Sequence, residues 1–491
     1  MGKYWIYNND GTGNINIRMM GRGTSEMAQT RGLILYRNND KDWDIFSAMV
    51  NVYRMYLANN EEDEYDYDDD DDDDDDFDFD LDDDEIAEMH DMFYHALSDL
   101  VEMACRYGFA GNLWHVYLTY LIVTNDNAYT RSAELKGNPG GSLSDLALHD
   151  FSVFMDLFDL PIGQLADFFG EELLMSVGNF TPPANRPFLL DDFVVKEINA
   201  LTKKLSASGD ATLFKEFVES FYEKYGAGKI GLHKAFRIDR ETVYDSKDHK
   251  SRKVVIAPVE GVCHVTMDEL IGYEAEKKKL IDNTKAFVEG RPANNVLLYG
   301  EAGTGKSTSV KALMDMFAPQ GLRIIELYKD QFKDLNELIS LIKNRSYRFI
   351  IFMDDLSFEE FEVEYKHLKA LIEGGIEKRP DNILIYATSN RRHLMKETFS
   401  DKNDFDNDLH SSETVEEKTS LSGRFGLQIR FGSPSPKDYE TMIKTMAERE
   451  GITASFEDYE MESRRWQIQH GGYSGRTARQ FVDHLKGSGG K

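Results

Sequence analysis

Gly300-Glu-Ala-Gly-Thr-Gly-Lys306-Ser307 decides the fold. Glycines at both ends of the loop, then Lys and Ser, make a complete phosphate-binding loop, in which backbone amides face a polyanion where a strand turns into a helix. The flanks agree. Asn295 to Tyr299 is a short apolar run of parallel-strand type, and Ser307 to Phe317 carries apolar residues at helical spacing. Gly300, Gly303 and Gly305 permit the tight path, and Glu301, Ala302, Thr304 and Thr308 complete the wrap around the phosphates. Lys306 is expected at the β and γ oxygens, and Ser307 offers a hydroxyl to a phosphate-bound Mg²⁺.

A second signal follows downstream. Arg348-Phe-Ile-Ile-Phe-Met-Asp354-Asp355 is an apolar strand ending in two carboxylates. After a phosphate loop, the first acid is expected to hold Mg²⁺ through its water shell and the second to orient the attacking water. One more strand, Leu322 to Leu327, and one more helix, Leu335 to Lys343, fit between, giving a βαβαβ order. Asn382 to Asn390 then reads as another buried strand. Its terminal Asn390 can both donate and accept near a γ-phosphate, and it can equally cap the helix that Arg391 opens.

Composition bounds the rest. At 491 residues and 41% hydrophobic, the chain needs two or three cores. Cys105 and Cys263, alone and far apart, form neither a disulfide framework nor a zinc site, which points to a reducing compartment, the cytoplasm. Neither a signal peptide nor a membrane helix is read: Leu113 to Val123 falls short of the about 20 residues a span needs and is expected as a buried helix. Net charge is -31, of which Glu61 to Glu85 holds 20 acidic residues and no basic one, leaving -11 to the remainder. Such a run is expected to be disordered, as a spacer or as an acidic-aromatic segment for a basic partner. The balance argues against nucleic acid as a partner, because counterion release needs clustered Lys and Arg.

The expected organisation is a small N-terminal segment (1–60), the acidic run (61–85), a helical N-terminal domain (86–225) and a linker (226–260). A nucleotide-binding core (261–432), a helical lid (433–486) and a short tail (487–491) follow. In the first part, a strand pair is expected around Asn8 to Asn14, then a helix from Ile45 to Leu57. The stripe Met89, Phe93, Leu97, Leu100 and Ala104 defines an amphipathic helix, and similar patterns recur at 113–123, 143–157, 193–205 and 211–225. Val254 to Pro258 reads as a strand leading into the core, and Ser400 to Glu417 as a mobile acidic insertion.

Taken in order, Asp268-Glu-Leu-Ile-Gly-Tyr273, the phosphate loop, Asp354-Asp355, Asn390 and Ser422-Gly-Arg424-Phe-Gly426 resemble an AAA+ ATPase over residues 255–486. The string Ala387-Thr-Ser-Asn-Arg-Arg-His-Leu394, with Ile271-Gly-Tyr-Glu and Arg291 to Gly300, resembles most an uncharacterised bacterial AAA+ family known mainly as a domain of unknown function. That resemblance implies an α/β P-loop NTPase core with a five-stranded parallel sheet and a C-terminal helical lid. It also implies ATP with Mg²⁺ held by Ser307 and Asp354, Ile271 and Tyr273 at the adenine, and a homo-oligomer whose Arg424 reaches the neighbour's γ-phosphate. Arg476 is similar to the lid arginine that reads nucleotide state, with Arg479 as its rival. One departure stands out: many AAA+ proteins have Glu where Asp355 stands, so turnover is expected to be slow unless Glu359 or Glu360 substitutes.

Two function classes follow. One is an oligomeric ATPase remodelling a protein client, with Asp355, Asn390, Arg424 and Arg476 as catalytic residues. The other is a nucleotide-gated binding module with hydrolysis as a slow timer. A replication-type loader acting on DNA is a third, weakened by the charge.

Overall fold

Apolar stripes at helical spacing and short runs of β-branched residues sort into separate parts of the chain, and the two classes of element form separate cores. The computed structural model describes residues 3–9, 15–21, 32–36, 44–59, 83–160, 162–169, 172–184, 188–244, 250–259, 261–262, 264–358, 368, 372, 380–392, 394 and 421–488. It falls into two compact units, Met1–Leu232 and His233–Lys491. Residues 61–82 of the acidic run, the insertion 400–417, Glu359, Glu360 and the tail beyond 488 lie outside the described residues.

The first unit opens with an antiparallel hairpin, β1 (Lys3–Asn9) and β2 (Ile15–Gly21), and continues in helices. These are α1 (Asp44–Asn59), α2 (Asp83–Tyr107), α3 (Leu113–Thr124), α4 (Ala128–Lys136), α5 (Gly141–Phe158), α6 (Ile162–Phe168), α7 (Asp192–Ser206), α8 (Ala211–Tyr225) and α9 (Gly228–Leu232). The stripe on α2 is buried at all five positions, Met89 through Ala104. In α3, Trp114 and its neighbours are buried on every face, so this helix is the centre of the unit. Among the described residues no helix is long and apolar enough to cross a membrane.

One polar group is built into that apolar core. The fully buried Asp150 of α5 accepts hydrogen bonds from the backbone N–H groups of Ile34 (2.9 and 3.1 Å to its two oxygens), Leu35 (2.7 Å) and Tyr36 (3.0 Å). A carboxylate that collects three adjacent amides compensates their burial and pins residues 34–36 against α5. Asp150→Ala orphans all three donors and is expected to cost about 3 kcal/mol. A urea titration of the full chain should show an earlier first transition, with Asp150→Asn falling between Asp150→Ala and wild type.

In the second unit, the strands are β3 (Ala235–Tyr244), β4 (Lys250–Pro258), β5 (Val296–Gly300), β6 (Leu322–Glu326), β7 (Arg348–Met353), β8 (Ile383–Ser389) and β9 (Leu427–Phe431). They form one sheet in the order β4-β3-β6-β7-β8-β5-β9. Helix α10 (Glu274–Val288) precedes β5, α11 (Lys306–Phe317) follows it, and α12 (Leu335–Ile342) joins β6 to β7. The expected five parallel strands are therefore part of a seven-stranded mixed sheet: β3 adds parallel to β6, and β4 pairs antiparallel with β3 at the edge.

This corrects the linker expected at 226–260, which is α9 and the β3–β4 hairpin. The basic, polar composition masked a period-two alternation on β3, in which Phe236 and Ile238 are buried while Arg237 and Asp239 face water. The hairpin is tied down by Arg240 to Asp334, Arg237 to Glu326 (2.9 Å) and Lys234 to Asp315 of α11 (2.7 Å).

The lid consists of α13 (Pro436–Arg449), α14 (Phe456–Gln469) and α15 (Gly475–Gly487), opened by Ser435, Ser455 and Ser474 at their caps. Tyr439, Met442, Ile443, Phe481 and Val482 form its core, against which Ile271 and Tyr273 also pack.

Candidate functional site

Strand register brings the chemistry together. Met353 lies beside Ala387, and Tyr299 beside Ser389, so the ends of β5, β7 and β8 deliver the phosphate loop, the two acids and Asn390 to one edge of the sheet. The site thus sits beyond the carboxyl ends of parallel strands, where open α/β sheets place their ligands.

Each glycine of the loop marks a place where another element closes in. Gly300 leaves β5 at φ 137°, and a Cβ there would lie 1.9 Å from the carbonyl oxygen of Phe431 on β9. At Gly303 (φ 75°) the neighbours are Ser474 and Arg476 of the lid, and at Gly305 (φ 92°) the Leu270 side chain. Gly300→Ala therefore combines a backbone clash with an unfavourable φ. It is expected to cost about 3 kcal/mol, read as an earlier denaturation midpoint of the second unit, whereas Gly423→Ala, with open space around it, should leave the midpoint in place.

Lys306, only 6% exposed, donates to the carbonyls of Gly300 (2.9 Å) and Glu301 (2.7 Å) and to Asn390 Oδ1 (3.1 Å). Burial pulls its pKa down, and the nearby Asp355 and Asp354 carboxylates oppose that pull. Asn390 turns its amide Nδ2 to Asp355 Oδ1 at 2.7 Å, so one side chain links the ammonium to the second acid. Ser307 Oγ donates to Asp354 Oδ1 at 2.5 Å. Asp355 stands at φ 49°, unusual for a residue other than glycine.

A cleft of about 1010 Å³ opens between these groups and the lid. Ala302 through Thr308, Asp354, Asp355 and Asn390 line its polar side, and the cleft's wall does not include Gly300 or Glu301. Ile271 and Tyr273 line an apolar side with Leu270, Met442 and Met446. Tyr273 donates to the Gly432 carbonyl (2.8 Å), and burial raises its pKa to about 12. Arg476 and Arg479 both line the lid wall. Arg479 is held by Glu450 (2.7 Å) and Asp483 (3.0 Å), whereas Arg476 has no ion-pair partner among the described residues. Arg424 is exposed, at the turn after the short helical stretch 421–423, and is not brought to its own chain's cleft.

Sequence reasoning missed Thr388, Leu270 and the lid methionines. The signal for Thr388 was present: a hydroxyl in a mostly apolar buried strand, here 1% exposed, must find a partner. Leu270 and the methionines carried no comparable mark, because apolar residues on helices and turns read first as core.

A phosphate loop leaving a parallel strand, acids after the next strand but one and a capping helical lid define an α/β P-loop NTPase fold. The chain belongs to the family described as "Protein of unknown function (DUF815)", whose profile matches residues 241–489. Among curated proteins, the signal recognition particle receptor FtsY of Mycoplasma pneumoniae is 28% identical over 127 residues, 26% of this chain and 34% of that protein. The chain thus spans about a third of that relative's length. Among solved structures, the Thermotoga maritima RuvB Holliday junction branch migration motor is 19% identical with a TM-score of 0.32, over 45% of this chain and 64% of that one. A single-residue mutant of the same RuvB gives 17% and 0.31 over the same shares.

Proposed function

We propose that this chain is a Mg-ATP-hydrolysing AAA+ ATPase that works as an oligomer on a protein client. The observation that carries the reading is the linked set Lys306–Asn390–Asp355 beside Ser307–Asp354, assembled from three strand ends at the mouth of one cleft. The loop amides and Lys306 bind the triphosphate, and the apolar wall with Ile271 and Tyr273 takes the base. Ser307 and Asp354 offer two hard oxygens, a donor set suited to Mg²⁺ that keeps most of its ligands from water and phosphate. When bound, the metal supplies charge neutralisation to the phosphate oxygens.

Asp355 accepts a proton from the attacking water, and Asn390, already bonded to that carboxylate, orients it. Arg424, outside its own cleft, serves a neighbouring subunit's γ-phosphate, where a guanidinium stays charged and forks across oxygens. On the lid, Arg476 suits the nucleotide-reading role better than Arg479, whose charge Glu450 and Asp483 already engage.

The slow-switch reading has one observation in its favour: Asp355 is both short and held by Asn390. Turnover measured against protein concentration separates the two, since shared sites require assembly and make the specific rate climb steeply. Lys306→Ala should abolish the heat of ATP binding in calorimetry. Asp355→Asn should keep that heat and lose turnover by about a hundredfold or more; equal rates in both variants and wild type would overturn the assignment.

A further inference from the structure

The Thr388 hydroxyl makes two hydrogen bonds, and both go to the paired acids. It donates to Asp354 Oδ1 at 2.5 Å and accepts from the Asp355 backbone N–H at 2.9 Å. Its own carbonyl accepts from Leu356 N–H at 2.7 Å, so the turn after β7 is fastened to β8 on both sides of Asp355. Three donors therefore converge on Asp354 Oδ1: Ser307 Oγ, Thr388 Oγ1 and, at 3.2 Å, the Asp355 N–H. Asp354 Oδ2 has no donor among the described residues, so the carboxylate is fixed by one oxygen while the other keeps its lone pairs for a ligand.

Asp355, in turn, sits at φ 49°, a conformation that costs free energy and persists only where neighbours hold it. The amide that Thr388 accepts from belongs to this strained residue. A hydroxyl on a residue 1% exposed thus spends its one donor and an acceptor lone pair on orientation, holding one acid by its side chain and the other by its backbone.

We propose that Thr388 is a positioning residue for both acids, setting Asp354 toward the metal and Asp355 toward Asn390 from a single hydroxyl. The inference rests on the nucleotide reading above and adds to it a specific dependence. Binding of the bare nucleotide, which belongs to the loop, does not need Thr388; the gain in affinity that Mg²⁺ confers, and the rate, do.

The full chain tests this with Thr388→Val, which replaces the hydroxyl by a methyl, and Thr388→Ser, which keeps it. Calorimetry with ADP in EDTA should give the same Kd for wild type and both variants. With Mg²⁺ present, Thr388→Val should lose the Mg²⁺-dependent gain and drop in ATP turnover by about tenfold or more, since the acid facing the cleft loses the donor that fixes its orientation. Thr388→Ser should recover both. If Thr388→Val melts early, Thr388→Ala against Thr388→Ser poses the same question with less bulk. A Thr388→Val or Thr388→Ala protein with wild-type Mg²⁺ gain and turnover sinks the positioning role alone. A wild-type chain that binds no ADP sinks the nucleotide reading and this inference with it.

Discussion

A buried ammonium governs the second unit. Taking the Lys306 charge out of water costs several kcal/mol unless acceptors surround it, and here three do, from the end of β5, the loop behind it and the end of β8. No single element could supply all of them. The requirement is met because β5 pairs in parallel with β8 on one side and β9 on the other, which brings Asn390 and the Phe431 backbone to the loop. The sheet order, the glycine conformations and the polar network are thus one solution to one electrostatic problem.

What the sequence disclosed follows the same logic. Strands β5 to β8 and helix α11 were legible as apolar runs around the phosphate loop and the paired acids, whereas the lid came from the family resemblance, its three helices each opening on a serine. Asn390 and the acids were placed by a spacing that parallel strands enforce. Of the β3–β4 hairpin only Val254 to Pro258 was legible: the exposed positions of β3 carry charges that the fold uses as ion pairs, so the stretch read as a polar linker. Thr388 was not legible: its meaning depends on a register of β7 against β8 that no local pattern encodes. In the first unit the stripes gave α2, α3, α5, α7 and α8 but not the shorter α4, α6 and α9, while Asp150, which binds backbone more than a hundred residues away, looked like one more acid on an amphipathic helix.

The extra hairpin is joined to the phosphate-loop helix through Asp315, which accepts both from Lys234 (2.7 Å) and from the Val265 amide (3.2 Å). Exposed pairs of this kind contribute little singly. Asp315 is largely shielded, and it fastens the chain on both sides of the β3–β4 hairpin to the helix that carries Lys306.

Tyr273 has a mechanical side. Its ring rests on Phe431 (centroids 5.1 Å apart), and its hydroxyl grips the carbonyl of Gly432, at the start of the short connector into α13. A phenol that forms part of a cavity wall therefore also anchors the root of the connector into the lid. Because the same ring also packs against the lid core, swinging the three C-terminal helices about residues 432–435 must peel them off it or drag it along, so the cavity cannot widen without its own wall registering the movement.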